Sequence, residues 1–244
     1  MSTATNNKSI PLLSTYKNIQ RTNAADMFYF EAEHPERARL ESFISTIFKK
    51  YYHAEIEQFY PNLLSIESVS PNNQEIKAVA GVRCASDESL FSEYYLSNPL
   101  ETELKNLYGI NIARHQIVEV GNLAPANVGQ MRWLIASITG FLYSAGYQYI
   151  VFTAVPGVYN AFKRMNIPLK MITPAQQSCL PKNIQNKWGP EYYELNPSVL
   201  AGDIVKGYQL IKQSIYQDNK KLIPLFEKSC QLGYSFSRRK GLVA

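Results

Sequence analysis

Charged side chains are missing from a long stretch of this sequence. Between Trp133 and Phe162 there is no Asp, Glu, Lys or Arg, which indicates that this segment lies in the protein interior. A membrane-spanning helix would need about 20 apolar residues in unbroken helical register. Gly146 and Pro156 interrupt the run, and the β-branched and aromatic residues 149–153 favour a strand. We therefore predict a buried helix followed by a buried strand.

Cysteine is also scarce. The three cysteines, Cys84, Cys179 and Cys230, are far apart, form no C-x-x-C motif and have no histidine at ligand spacing. This pattern argues against a disulfide framework and a structural zinc site, and it favours a reducing compartment. The first twenty residues are polar and lack the apolar core of a secretory signal. We expect a cytoplasmic protein without a bound metal.

The excess of positive charge is small. The chain has 25 basic and 20 acidic residues, a net charge of +5. Its tyrosines are not interleaved with Lys or Arg as they are in a nucleic-acid groove, so we predict no nucleic-acid partner. A mildly positive surface leaves two other partners open, an acidic protein or an anionic lipid surface.

The order of apolar patterns predicts a mixed α/β fold. A helix is expected from residue 33 to 51, a hairpin from strands 63–69 and 76–85, and a short helix over 99–107. From His115 to Ile172 the pattern is strand, helix, strand, helix, strand, followed by a loop over 173–187 and a last strand over 188–195. These elements predict a mixed, mostly antiparallel sheet with helices on both faces. We expect a flexible tail over 1–25, one domain over 26–202 and a helical extension over 203–244, where Asp203 is a helix cap.

The first strand of this central segment carries one carboxylate, Glu119. In such sheets a ligand binds where neighbouring strands splay, outside their carboxyl ends and at the start of the next helix, which here is Gly121–Gln130. An apolar strand would raise the pKa of Glu119 by desolvation, as suits a base. The structural alternative is that its side chain reaches solvent or pairs with Arg114.

Two separated motifs resemble the bacterial thermostable haemolysin family. One is Val118-Glu119-Val120-Gly121-Asn122-Leu123-Ala124, and the other is Trp188-Gly189-Pro190-Glu191-Tyr192-Tyr193 followed by Ala201-Gly202-Asp203-Ile204. The likeness extends from about His34 to Ile204. It implies a fold related to GCN5-type N-acetyltransferases, and more closely to acyl-homoserine-lactone synthases and N-acyl amino acid synthases.

The resemblance also marks departures. Those enzymes have Glu-x-Ser-Arg-Phe/Leu-Ala on the equivalent strand, so Glu119 inherits the role of base, whereas Gly121-Asn122 replaces Ser-Arg. Only Gly129 remains of the loop that binds coenzyme A pyrophosphate. The tyrosine that protonates the leaving thiolate in many acetyltransferases is Phe162 here, and Tyr159 is the candidate substitute. The alternative for Tyr159 is helix packing.

The remaining candidate residues surround the expected thioester site. Backbone amides of residues 122–124 would bind the thioester oxygen if the strand bulges there. Aromatic residues of the second motif would line an acyl pocket, or else belong to the core. The predicted substrate-binding residues are Val120, Gly121, Asn122, Leu123, Ala124, Gly129, Phe152, Thr153, Phe162, Trp188, Tyr192 and Tyr193.

Three functional hypotheses follow. The first is an N-acyltransferase that moves a fatty acyl group from an acyl carrier protein or coenzyme A thioester to a small amine or amino acid, with no permanently bound cofactor. The second is a membrane-active haemolysin whose amphipathic tail, residues 203–232, contacts lipid. The third is a non-catalytic binding protein on the same fold.

Overall fold

The computed structural model describes residues 25–70 and 73–240. Within these ranges seven strands form one sheet in the order β1-β2-β3-β4-β5-β7-β6. Only β4 and β5 are parallel; the other neighbouring strands are antiparallel. The strands are β1 (Ala25–Phe30), β2 (Asn62–Ser70), β3 (Asn73–Cys84), β4 (Ile117–Pro125), β5 (Tyr149–Ala154), β6 (Leu169–Pro174) and β7 (Ser198–Asp203).

Helices cover both faces of this sheet. They are α1 (Arg37–Tyr52), α2 (Leu100–Tyr108), α3 (Val128–Ser144), α4 (Pro156–Arg164), α5 (Lys182–Glu194), α6 (Ile204–Asp218) and α7 (Ile223–Lys240). Alternate residues of β3 show the two layers. Ala78, Ala80 and Val82 share a core with α3 and α7, whereas Val79 packs in the core beneath α1. This is the side-chain alternation expected of a sheet that is buried on both faces.

The predicted central segment is confirmed. The charge-free stretch folds as α3, β5 and α4, with Gly146 at a φ of 92° in the turn between α3 and β5. The β2–β3 hairpin is also as predicted, although residues 71–72 at its turn lie outside the described residues. No helix in the described ranges is long and apolar enough to cross a membrane.

Two secondary-structure predictions were wrong, one at its boundary and one in kind. Residues 25–30 form β1, at the limit of the predicted tail, whose residues 1–24 lie outside the described part. Residues 188–195 belong mainly to α5 rather than to a strand. Gly189, at a φ of 61°, breaks this helix and Pro190 restarts it, a position where proline is well tolerated. Trp188 and Tyr192 pack together at 4.8 Å between ring centroids, so tertiary packing overrides their β preference.

The last strand lies further along the chain than predicted. Residues 198–203 form β7 between β5 and β6, and Asp203 ends it while capping α6 through a 2.9 Å hydrogen bond from Lys206 N, as predicted. The apolar faces of α6 and α7 are occupied. Leu225 and Phe236 of α7 lie in the core shared with α3 and β1. Lipid binding by this tail would require these residues to leave that core.

Candidate functional site

The parallel strands β4 and β5 separate directly after Glu119. Their pairing consists of Ile117–Tyr149, Val118–Ile150 and Glu119–Val151, and it ends there. Beyond this point, residues 120–123 of β4 and residues 153–155 at the end of β5 line one cavity of about 560 Å³. That volume lies in the range of small-molecule sites. The predicted position of the site, at the carboxyl end of β4, therefore coincides with a cavity.

The cavity is largely aromatic on the sides away from the sheet. At its inner end Tyr60 packs against Gly121 and Arg83 lies over the Tyr60 ring, and α5 with the segment before β2 forms the outer wall. The lining residues are Phe48, Tyr52, Glu55, Ile56, Glu57, Gln58, Tyr60, Arg83, Ser89, Leu90, Phe91, Glu93, Tyr94, Tyr95, Val120, Gly121, Asn122, Leu123, Thr153, Ala154, Val155, Val158, Asn183, Ile184, Lys187, Trp188 and Tyr192.

Few polar contacts join the two segments that form the outer wall. The backbone N–H of Glu55 donates to the carbonyl of Lys187 over 3.0 Å, and the Lys187 ammonium forms an exposed ion pair with Glu57. Trp188 then packs against Phe48 and Phe91. The wall therefore consists of two segments that are distant in sequence and lie side by side over the cavity.

Strand β4 bulges at the cavity. Val79 and Gly81 of β3 pair with Ala124 and Gly121 of β4, so two β4 residues oppose one β3 residue. Asn122, in the bulge, has a φ of 49°, a left-handed conformation that asparagine tolerates better than most residues. The bulge on which the oxyanion prediction depended is therefore present.

Glu119 is buried at the point where the strands part. Its side chain is 1% exposed. One carboxylate oxygen accepts the backbone N–H of Phe91 over 2.8 Å, and the other accepts that of Ser92 over 2.6 Å. Burial raises the pKa of Glu119, and the backbone hydrogen bonds from Ser92 and Phe91 oppose that rise in part.

Glu119 does not follow the structural alternative considered for it. It is not in solvent, and Arg114 pairs instead with Glu93 and Glu101. Both oxygens of Glu119 hold the start of the Phe91–Tyr95 3-10 turn, as a capping carboxylate does. Glu119 is not among the residues that line the cavity, so it lies one layer behind the surface of the cavity.

The structure brings together only part of the predicted residue set. Val120, Gly121, Asn122, Leu123, Thr153, Trp188 and Tyr192 line the cavity. Ala124 is fully buried beneath α1, and Tyr193 is behind the lining, bonded through its hydroxyl to Tyr95 over 2.8 Å.

Four predicted residues lie away from the cavity. Phe152 and Phe162 stack on each other in the core, with ring centroids 5.1 Å apart. Gly129 is exposed in the first turn of α3. Tyr159 is 38% exposed on α4 and is not part of the lining. The position of Tyr159 gives no support to a role in protonating a leaving group.

Several cavity residues were not singled out from the sequence. Tyr60 and Arg83 precede Glu119 by 59 and 36 positions in the numbering, and no local pattern connects them to it. Arg83 is paired with Glu119 in the β3–β4 register and lies over the Tyr60 ring, 4.5 Å from its centroid. Residues 90–96, which also contribute to the lining, are rich in aromatic side chains, but this composition alone is typical of no single secondary-structure element.

Comparison with protein families gives a match over residues 30–208 to the family described as thermostable hemolysin. The chain belongs to the thermostable hemolysin family. The match includes both motifs that carried the resemblance. It covers β2 to β7 and ends within α6. A search of curated proteins finds no significant match.

Solved structures relate this thermostable hemolysin family member to a known fold. The AHL synthase LasI is 9% identical and aligns over 75% of this chain and 91% of its own, with a TM-score of 0.50. FeeM, an N-acyl amino acid synthase from uncultured soil microbes, is 9% identical over 80% of this chain and 100% of its own, with a TM-score of 0.49. BjaI, a CoA-dependent acyl-homoserine lactone synthase, is 12% identical and aligns over 80% of this chain and 91% of its own, with a TM-score of 0.48. The predicted mixed, mostly antiparallel fold of the acyl-homoserine-lactone synthase and GCN5-related acetyltransferase type is confirmed.

Proposed function

We propose that this protein is an N-acyltransferase that moves an acyl group from a thioester to an amine within the cavity between β4 and β5. The observation that carries the proposal is the separation of the two parallel strands immediately after a buried carboxylate, with an aromatic cavity in the gap. A thioester needs a neutral amine, donors for the developing oxyanion and an apolar slot for its acyl chain. Each of these has a candidate at this position.

The oxyanion donors are backbone N–H groups of the β4 bulge. Residues 120–123 lie beyond the last pair with β5, and they line the cavity. Preorganised amides of this kind stabilise a tetrahedral intermediate by about 3–4 kcal/mol per donor in acyl-transfer enzymes. The acyl chain lies along the aromatic wall, which includes Trp188 and Tyr192.

Glu119 is the proton acceptor in this proposal. As the amine nitrogen bonds to the thioester carbon and the C–S bond breaks, one proton must pass from nitrogen to the departing thiolate. Burial raises the pKa of Glu119, which brings the carboxylate closer to the basicity that general-base catalysis requires near neutral pH. The donor in this proposal is an acyl carrier protein or coenzyme A thioester, and the acceptor is a small amine or amino acid. BjaI is CoA-dependent and FeeM is an N-acyl amino acid synthase.

The test is release of free thiol by the purified full-length chain. Acyl-coenzyme A and acyl-acyl carrier protein are supplied in separate arms with a panel of amines, and acylated amines are identified by mass spectrometry. Glu119→Gln is expected to lower the rate about 100-fold or more, whereas Glu194→Gln on exposed α5 leaves it unchanged. Unfolding is measured alongside, since glutamine cannot accept both backbone N–H groups that Glu119 accepts.

Two outcomes would contradict the proposal. Failure of the wild-type chain to release thiol from either donor would end the enzymatic interpretation, and thioester binding without release would favour the non-catalytic alternative. A folded Glu119→Gln variant that retains the wild-type rate would remove Glu119 from the mechanism.

A further inference from the structure

Arg114 is tied to Glu119 through the Phe91–Tyr95 turn. Glu119 accepts the first two N–H groups of this turn, one on each carboxylate oxygen. Glu93, the third residue of the turn, accepts two hydrogen bonds from the Arg114 guanidinium, Nη1 to Oε1 and Nη2 to Oε2, each over 2.8 Å. The turn is therefore held from its buried side by one carboxylate and from its solvent side by one guanidinium.

The other contacts of Arg114 are with elements that flank the site. Its Nε donates to the carbonyl of Ala85, directly after β3, over 2.6 Å, and its Nη1 donates to Glu101 of α2 over 3.2 Å. Arg114 itself lies in the short segment before β4. A planar guanidinium that is bonded at Nε and at both Nη atoms is held in one orientation. Arg114 therefore fixes the turn relative to the β3–β4 pair that carries Glu119.

Glu93 closes the turn as well as binding Arg114. Its Oε2 accepts the backbone N–H of Leu90 over 2.7 Å, and its own N–H donates to the Leu90 carbonyl over 3.2 Å. Burial acts to raise the pKa of Glu93, but the hydrogen bonds from Arg114 and Leu90 outweigh it and lower the pKa. Removal of the guanidinium would leave this carboxylate without its charged partner, and the turn would loosen next to Ser92.

We propose that Arg114 is a positioning residue for the base Glu119 and acts through the Phe91–Tyr95 turn. This inference rests on the acyltransferase function proposed above. Glu93 and the two tyrosines that follow it line the cavity, so the turn also belongs to the wall against which a substrate packs. One short element thus joins the substrate surface, the buried carboxylate and the guanidinium.

The turn sets how strongly Glu119 attracts a proton. Hydrogen bonds to a carboxylate favour its charged form, and the two backbone N–H groups oppose the rise in the pKa of Glu119 that burial causes. Without Arg114 we expect these hydrogen bonds to lengthen and the pKa of Glu119 to rise further. More of the base would then be protonated at neutral pH, so the amine nitrogen would give up its proton less readily.

The first experiment compares Arg114→Met with Arg164→Met in the full-length chain, using thiol release. Methionine keeps an unbranched stem and removes the guanidinium, and Arg164 is exposed at the end of α4, outside the cavity lining. Arg114→Met should lower kcat/KM at neutral pH about 10-fold, a part of the usual general-base contribution. It should also move the acidic limb of the pH profile to higher pH, whereas Arg164→Met should change neither.

The pH profile distinguishes positioning from a purely structural role. The acidic limb of kcat/KM reports the pKa of the base in the free enzyme. Loss of folded protein alone would lower the rate by one factor at every pH and leave that limb in place.

A second readout does not need turnover. The Glu119 carboxyl is titrated by carbon NMR of protein labelled at glutamate, with Glu119→Gln identifying its signal. The midpoint should lie at higher pH in Arg114→Met than in the wild type and be unchanged in Arg164→Met. Arg83, opposite Glu119 in the β3–β4 pair, and Tyr60, whose ring lies against Arg83, are kept in both variants.

Glu93→Gln tests the same contact with a smaller change. Glutamine keeps a side-chain oxygen for the Leu90 N–H and loses the charge that binds Arg114, so it keeps the test open if Arg114→Met does not fold. The midpoint of the Glu119 titration should move in the same direction. The double variant should shift it no further than Arg114→Met alone, since both changes break one contact.

The outcomes separate the two proposals. A wild-type chain that releases no thiol would overturn the acyltransferase function, and the positioning of its base with it. An active wild type whose Glu119 titrates at the same pH in the folded Arg114→Met and Glu93→Gln variants would overturn the role of Arg114 alone. So would a rate that falls equally at every pH in those variants.

Discussion

Asn122 accepts the backbone N–H of Tyr60 over 3.0 Å and so joins the bulge of β4 to the residue just before β2. The two residues are 62 positions apart. Asn122 is the residue of the bulge with a φ of 49°. Its backbone therefore adopts the left-handed conformation while its side chain holds the Tyr60 backbone in place. This contact makes the placement of Tyr60 depend on the shape of the bulge.

Asn122→Gly should therefore impair both stability and turnover. Glycine accepts the positive φ, so the main loss is the hydrogen bond to Tyr60, and we expect the free energy of unfolding to fall by about 1 kcal/mol. Thiol release should fall with it. The matched control is Asn166→Gly, because exposed Asn166 also has a positive φ, 56°. Equal unfolding midpoints for the two variants in urea would show that the Asn122 contact contributes nothing.

The buried carboxylate of Glu119 should make stability depend on pH in a defined direction. Its pKa is raised in the folded protein, so the folded state binds the proton more tightly than the unfolded chain does. The stability that this tighter proton binding contributes is fully present below the unfolded pKa of about 4.3. It is lost as pH rises through the pKa of Glu119 in the folded protein.

Comparison with Glu119→Gln isolates this contribution. The difference in free energy of unfolding, wild type minus variant, should decrease as pH rises from about 4 to above the folded pKa. It is measured by urea unfolding across that range. A difference that stays constant or grows with pH would mean that hydrogen bonding, rather than burial, dominates at Glu119.

Trp188 should set the length of acyl chain that the cavity accepts. It lines the cavity and packs against Phe91 and Tyr192, with ring centroids 5.5 and 4.8 Å away. Trp188→Leu removes ring volume from the wall, so the fastest substrate in a series of acyl-coenzyme A thioesters should have a longer chain. Loss of packing should lower stability by about 1–3 kcal/mol. Leu195→Ala, beyond the end of α5 and 44% exposed, should leave the chain-length profile unchanged.

Gly233 permits the close crossing of α7 and α3. A Cβ there would lie 2.1 Å from the carbonyl oxygen of Phe141, a backbone atom that cannot rotate away. Gly233→Ala should destabilise the protein by about 1–3 kcal/mol through overpacking. Gly207→Ala in α6 is the control, because its added Cβ would be at ordinary contact distances of 3.6 Å or more. There alanine should be neutral or stabilising by up to about 1 kcal/mol. Similar thermal midpoints for the two variants would contradict the crossing argument.

The fold could be predicted from the sequence where local pattern and final structure agree. The charge-free stretch, with Gly146 between its apolar helix and its β-branched strand, fixes α3 and β5 without reference to the rest of the chain. Trp188 and Tyr192 lie in a helix despite their β preference. The helix restarts at Pro190 after Gly189, and both aromatic rings pack against α1. Strand β7 is short, and its small residues Ala201 and Gly202 carry little periodic signal.

Only part of the candidate site could be predicted from the sequence. Glu119 was visible as a lone acid in an apolar strand, and the position of the cavity followed from the strand order. Gly121 and Asn122 could be seen only as departures from a motif. In the folded chain Gly121 makes room for the Tyr60 ring, and the Asn122 side chain accepts the Tyr60 backbone N–H. Contacts across 62 positions leave no periodic trace, so Tyr60 could not be predicted.

The outer wall of the cavity has a consequence for the acyl chains that the proposed enzyme would accept. At its outer edge the Glu55 N–H donates to the Lys187 carbonyl and the Lys187 ammonium pairs with exposed Glu57, contacts that contribute little stability individually. In the proposed acyltransferase, a bulky acyl chain would separate these two segments rather than any pair of strands. Substitutions in α5 would then change which acyl chains enter the cavity while Glu119 keeps its surroundings.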